Sequence, residues 1–219
     1  MHNFPVTVLD NFFDNPNDVR EFALKQTYKP DEGNHWPGER TSELANIDKN
    51  FWRHFTERAL SLFYNFDNEV IEWTINSAFQ KVSSNYSGGW VHTDKPDILT
   101  GIVYLNPNTN PEAGTSIFYR NKENPFAFPI NDKEKKIQFQ NKSDAKKQEK
   151  YRLENNNQFE EVIRVSNAYN RLVLFDSSLF HSANGYFGGE DGQDARLALV
   201  FFVKNIKTKS LPVARSKYY

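Results

Sequence analysis

Apolar residues recur along this chain with two different periods, and the change from one to the other organises it. Near the start, VTVLDNFF alternates like a strand. Asn15-Pro16 follows as a helix-start signal, with Asn in the capping position and Pro at the first helical position, where its missing amide costs nothing. Val19, Phe22, Ala23 and Gln26 then fall at helical spacing, which predicts a short amphipathic helix over Asn17–Thr27. YKPDEGNHWPGERTSE is rich in Pro, Gly and charge and reads as a loop. A second helix is predicted over Lys49–Phe63, where Phe51, Trp52, Phe55, Ala59, Leu60 and Phe63 make one apolar face.

From Glu69 onward the period shortens. EWTINSAFQKV, WVHTD, LTGIVYLN, GTSIFYR, EEVIRV, RLVLFDS and RLALVFFV read as strands separated by turns. Several are apolar on both faces, as a sheet requires when a second sheet covers one side and helices the other. Helices first and then seven or eight short strands predict an α+β, mainly β, protein with a β-sandwich or jelly-roll core. Asn121–Gln158 stands apart as a polar, lysine-rich, weakly periodic insertion. A segment of this kind is a lid or a surface loop, and its charge run suits a solvated face. No internal repeat is present.

Composition narrows the function classes. A length of 219 residues suits a single domain spanning 1–219. A formal net charge of -1 gives no general electrostatic case for nucleic acid or an anionic membrane as partner. Cys is absent, which removes disulfides, thiolate nucleophiles and Cys-based metal sites and agrees with a reducing cytoplasm. The opening MHNFPVTVLDNFFDN lacks the basic start and apolar run of a signal peptide. No apolar stretch approaches the roughly 18 residues of a membrane helix. The expected location is cytoplasmic, and nothing in the sequence specifies an oligomeric state.

The candidate chemistry centres on GGWVHTD. His92 and Asp94 stand at i and i+2, so on a strand they point to the same side and Thr93 points away. Of the remaining histidines, His2 is terminal, His35 lies in the Pro/Gly loop and His54 sits within the second helix pattern. His181 directly follows the apolar run RLVLFDSSLF. Together His92, Asp94 and His181 offer two imidazoles and a carboxylate, the donor set that suits non-haem Fe(II) with three open positions. Two unconnected strand-end histidines are the plainer alternative. Arg196 opens RLALVFFV with Ala198, Val200 and Phe202 on its own face, and a guanidinium there needs an anion or an exit to water. Thr100, Ile102 and Tyr104 share one face of LTGIVYLN, from which a phenol can reach a carboxylate beside Arg196.

Five motifs in order, VHTD, ILTGIVYLN, AGTSIFY, RLVLFDSSLFH and RLALVFFV, resemble those of the 2-oxoglutarate/Fe(II)-dependent oxygenases, most closely the prolyl 4-hydroxylase-like branch. The resemblance covers Asn85–Val203 without the insertion, and VTVLDNFFDNPNDVREF is similar to the family's strand–helix opening. It implies a double-stranded β-helix (jelly roll) with the N-terminal helices packed on one sheet. It also implies that His92, Asp94 and His181 bind Fe(II) and are the catalytic residues. Arg196 would pair with the distal carboxylate of 2-oxoglutarate, with Tyr104 bonded to the same group and Thr100 a further cofactor-binding candidate. The implied activity is hydroxylation of a peptide or small-molecule substrate using 2-oxoglutarate and O2.

Three departures stand out. A single Gly114 follows Ala113 where the family often has two glycines, Ala198 replaces a Ser found in some branches, and Trp90 is bulky. None removes a ligand, and the carboxylate of Asp94 argues against the halogenase variant. Two alternatives remain: a cupin-type metal-binding protein with another activity, and a non-catalytic jelly-roll interaction module.

Overall fold

The computed structural model describes residues 4–32, 36–127, 145–189 and 194–212. Strand β1 (Thr7–Leu9) leads into helix α1 (Pro16–Leu24). Two-residue strands β2 (Lys29–Pro30) and β3 (Glu39–Arg40) follow, then helices α2 (Leu44–Ile47) and α3 (Lys49–Leu60). The long strand β4 (Glu72–Val82) precedes β5 (Leu99–Tyr104) and β6 (Thr115–Arg120). Helix α4 (Ala145–Asn156) stands between β6 and β7 (Phe159–Val165), followed by β8 (Leu172–Asp176), β9 (Phe180–Ala183) and β10 (Arg196–Lys207).

These ten strands form two antiparallel sheets, one of seven in the order β1-β8-β5-β10-β4-β3-β2 and one of three in the order β7-β6-β9. Strand alternation assigns each face of the large sheet its partner. Leu197, Leu199, Phe201 and Val203 of β10 share an apolar cluster with Phe12, Ala23, Phe55, Ala59 and Leu60 from the helical side. The opposite face presents Tyr104, Val173 and Phe175 to Ile117 and Val165 of the small sheet. Both faces are therefore buried, which is why these strands read as continuous apolar runs. Gly101 matters to the first packing, because a Cβ there would collide with the Phe201 ring lying over it.

The helix starts differ in detail from expectation. Pro16 opens α1, but Asn15 makes no side-chain capping bond. Asp48 caps α3 instead, accepting from the Phe51 amide at 2.9 Å. Larger differences lie in four segments, the first of them WVHTD, read as a strand, of which only His92 makes a bridge, to His181. The Pro/Gly stretch read as a loop contributes β2 and β3, which extend the large sheet by pairing Glu39 and Arg40 with Lys81 and Gln80. RLVLFDSSLF is not one strand: β8 ends at Asp176, the chain turns, and Phe180–Ala183 joins the other sheet as β9. The insertion carries α4, a helix whose apolar pattern is too weak to mark it. His35 lies outside the described residues.

Candidate metal centre

His92 ends an extended segment that runs beside β9. The Gly89 amide donates to the Ala183 carbonyl at 2.8 Å, and His92 and His181 exchange backbone bonds at 3.1 and 2.9 Å. Inter-strand pairing thus sets the two imidazoles side by side, with ring centres 4.4 Å apart. Beyond His92 the chain turns, and the Asp94 amide donates to the Ser177 carbonyl at 2.9 Å. That bond brings the carboxylate to both rings. Asp94 Oδ1 lies 3.4 Å from His92 Nε2 and Oδ2 lies 3.1 Å from His181 Nε2. One ligand atom from each of the three residues falls within 4.8 Å of the others.

The tautomers show what this cluster suits. His92 Nδ1 is 2.7 Å from the Trp90 carbonyl and His181 Nδ1 is 3.0 Å from the Leu179 carbonyl. A carbonyl only accepts, so each Nδ1 carries a proton and each ring turns its Nε2 toward Asp94. Burial works to raise the Asp94 carboxyl, but His181 and His92 facing it outweigh that and hold it well below the ordinary carboxylate range. Two imidazole Nε2 atoms and a carboxylate gathered this closely can hold one metal ion among them, and carbonyl-bound Nδ1–H groups are the usual orienters of metal-binding imidazoles. The side chain of His92 is 29% exposed against 6% for His181, which marks the open side of the centre. Trp90 contributes its carbonyl here and its indole is buried.

Thr100, on β5, donates its hydroxyl to Asp94 Oδ2 at 2.6 Å and also meets Ser177 Oγ at 2.9 Å. Its contact is thus to the acidic member of the triad. Thr100→Val keeps the shape and removes this bond, so divalent-metal affinity should fall by about 10–100-fold, the usual effect of losing an outer-shell partner. Calorimetric titration with Ni(II) measures it, and unchanged affinity would show that Thr100 does not orient Asp94.

Tyr104 lies four residues beyond Thr100 on the same face of β5, and Arg196 stands beside it at the start of β10. Arg196 is 3% exposed, and its Nε donates to the Ala113 carbonyl at 3.0 Å. Its guanidinium lies between two rings, 5.2 Å from the centre of Tyr104 and 5.6 Å from that of Tyr186. One of its terminal nitrogens, Nη2, is buried without a hydrogen-bond partner. The Tyr104 hydroxyl meets Thr115 Oγ1 at 2.8 Å, and burial pushes the phenol above its ordinary value of 10, so it remains a proton donor at neutral pH. Ala198 is buried and offers no hydroxyl, whereas Thr115 supplies one from the facing sheet.

Several residues around the centre carried no sequence signal. Asn156 Oδ1 accepts from the Val91 amide at 2.8 Å, its Nδ2 donates to the Gly89 carbonyl at 3.0 Å, and Asn155 Nδ2 donates to the Val91 carbonyl at 3.2 Å. The last turn of α4 thereby takes the place of a neighbouring strand beside the segment that carries His92. Ser177, Thr115 and Tyr186 join in the same way, from positions distant in sequence. Thr115, inside AGTSIFY, and Ser177, inside RLVLFDSSLFH, lay in motifs already singled out, though not as site residues.

The fold is that of the 2-oxoglutarate/Fe(II)-dependent oxygenases. HygX from Streptomyces hygroscopicus, solved with nickel and 2-oxoglutarate bound, is 12% identical, with 92% of this chain and 83% of that one covered at a TM-score of 0.53. A prolyl hydroxylase from Trichoplax adhaerens, solved with a peptide fragment of the hypoxia inducible factor oxygen degradation domain, is 15% identical, covering 91% and 83% at 0.53. EvdO2 from Micromonospora carbonacea var. aurantiaca is 10% identical, covering 98% and 92% at 0.51. By sequence, the chain belongs to a family of unknown function (DUF6445), whose family model matches residues 1–202. No curated protein sequence matches it.

Proposed function

We propose that this protein is a 2-oxoglutarate- and Fe(II)-dependent oxygenase that hydroxylates a small molecule or a peptide, built as one double-stranded β-helix domain over 1–219. The observation that carries the reading is the meeting of two Nδ1-protonated imidazoles with the carboxylate of Asp94. A buried guanidinium on the same sheet face adds to it, with Nη2 lacking a partner. Metal and cosubstrate would each answer one of these unmet demands.

His92 Nε2, Asp94 and His181 Nε2 would hold the ion, and three protein donors leave a six-coordinate ferrous ion three positions for other ligands. When bound, Fe(II), 2-oxoglutarate and O2 supply the oxidation, in which one oxygen atom enters a substrate C–H bond and the other enters succinate as CO2 leaves. The protein's part is placement. Arg196 would pair with the far carboxylate of 2-oxoglutarate, its fork already aligned between Tyr104 and Tyr186. The Tyr104 phenol, kept protonated by burial, would donate to the same carboxylate. Thr100 holds Asp94 in its orientation. Tyr104, Val173, Phe175 and Ile117 pack as one apolar cluster, and the Phe175 ring lies 4.7 Å from that of His181.

Anaerobic addition of 2-oxoglutarate to the Fe(II)-loaded protein tests the reading. A visible charge-transfer band is expected, followed on admission of O2 by slow succinate formation even without substrate. A protein that binds Fe(II) but develops no band belongs with the cupin-type metal binders instead.

A further inference from the structure

One cation in the site is left without a role. Arg40 on β3 pairs with Gln80 of β4, and the same row continues through Ala198 of β10 to Tyr104 of β5. Residues in one row share a face, so Arg40 lies on the face that carries Arg196, Tyr104 and Thr100. Its guanidinium is 4.3 Å from the ring centre of Trp36 and 5.6 Å from that of Phe202. Phe202 pairs with Thr100, the residue bonded to Asp94. The Arg40 side chain therefore runs across the sheet toward the metal end. Asp94 is the acidic group acting on it most strongly, ahead of Asp31 and Glu43, and the Tyr186 phenol also faces it. Glu43 is already engaged, accepting from the Ser77 amide at 2.8 Å.

The setting of Arg40 is constrained on both sides. Gly38 adopts a φ of +73°, and a Cβ there would collide with the Lys81 carbonyl oxygen, so only glycine lets this turn press onto β4. Gln80 Nε2 donates to the Pro37 carbonyl at 3.0 Å. On the other side, Thr41 exchanges bonds with Phe79, giving its amide to the carbonyl at 3.0 Å and accepting the Phe79 amide on Oγ1 at 3.1 Å. The segment WPGERT is thus fastened to β4 and presents a cation on this face.

No ion pair joins Arg40 to a carboxylate among the described residues, and its Nε is buried without a hydrogen-bond partner. Burial lowers its guanidinium to about 10, which leaves it charged at neutral pH. The proposed ligands do not balance this charge. The two positive charges of a ferrous ion and the one on Arg196 are matched by Asp94 and the two carboxylates of 2-oxoglutarate. With Asp94 matched by the metal, Arg40 keeps only the weaker influence of Asp31 and Glu43, and its buried Nε still lacks a hydrogen-bond partner on the face that carries Arg196, Tyr104 and Thr100. A monoanion matches it, while a phosphate dianion would carry a charge that nothing here meets.

We propose, resting on the oxygenase reading above, that Arg40 is the substrate's anion subsite and that the substrate carries a carboxylate which the Arg40 fork binds between Trp36 and Phe202. The carboxylate can belong to a free amino acid or to an acidic side chain of a peptide, and the probes separate these. Ni(II) replaces Fe(II) so that no turnover occurs, and 2-oxoglutarate is added to saturation so that Arg196 is taken. Free L-amino acids and their α-carboxamides are then compared by ligand-observed NMR, together with N-acetyl-aspartate and N-acetyl-glutamate α-amides and their neutral asparagine and glutamine counterparts.

At least one carboxylate probe is expected to bind about tenfold or more tightly than its neutral partner, as a charge-assisted fork pairing requires. That preference should vanish in Arg40→Gln and persist in part in Arg40→Lys, with 2-oxoglutarate affinity unchanged in both. Equal binding of acids and neutral partners, including binding of neither, overturns the proposal. So does a preference that survives in a folded Arg40→Gln protein, or a loss of 2-oxoglutarate binding in it, which would make Arg40 a cosubstrate residue. Repeating the titration without 2-oxoglutarate keeps the readings apart, because failure of the oxygenase reading removes 2-oxoglutarate binding and leaves the acid-over-neutral comparison intact.

Discussion

His181→Ala is expected to abolish tight divalent-metal binding and, with it, 2-oxoglutarate turnover. The residue lies on the closed side of the centre, its side chain 6% exposed, with Nδ1 held by the Leu179 carbonyl and Nε2 3.1 Å from Asp94. Its removal leaves one imidazole and one carboxylate, so no three protein donors remain on one side of the ion. Disturbing an outer-shell partner costs about 10–100-fold, and losing a direct donor should exceed the top of that range. Succinate release and metal content read the effect. Because deleting a buried ring also opens a cavity, His181→Gln serves as a second variant that keeps most of the volume. Full turnover by either variant would remove His181 from the ligand set.

Arg196→Gln is expected to separate cosubstrate binding from metal binding. The guanidinium is buried, bonded through Nε to Ala113, and its Nη2 lacks a partner. Truncating one member of a buried, hydrogen-bonded charge pair costs about 2–5 kcal/mol, which corresponds to a 2-oxoglutarate affinity weaker by about 30-fold to several thousand-fold. Ni(II) affinity should stay as it was, since Arg196 makes none of the contacts around Asp94. Titration of the charge-transfer band gives the affinity directly. An unaltered 2-oxoglutarate affinity would reassign the carboxylate to another cation, with Arg40 the first to examine. The unliganded protein carries the cost of the unmatched charge, so Arg196→Met should melt at the same temperature or higher.

Legibility in the sequence followed how local each cause was. β4 spans EWTINSAFQKV as read, and α3 starts at Lys49 as read, because period-2 and period-3.6 patterns are written into consecutive residues. His92, Asp94 and His181 were legible because few histidines competed and because the motifs stand in order, although a turn bonded to Ser177, and not the strand alternation that was read, brings Asp94 to the rings. β3 was not legible. Two residues in a Pro/Gly-rich stretch become a strand only by docking on the edge of β4, held by the turn at Gly38 and by Gln80. β9 was missed for a related reason: the apolar run continues through Leu179 and Phe180 while the chain leaves one sheet for the other.

The sequence by itself determined that the chain builds helices ahead of a largely β core and that two imidazoles, a carboxylate and a guanidinium occur at spacings suited to metal and anion; that the guanidinium is buried came from the structure. Only the tertiary structure decided that these groups meet, which tautomers the imidazoles hold, that Thr100 faces Asp94, and that Arg40 reaches the same face. The physical reason lies in sheet pairing. Hydrogen-bond register aligns Arg40, Gln80, Ala198 and Tyr104 in one row although they stand far apart in sequence, and no local pattern of residues encodes that alignment.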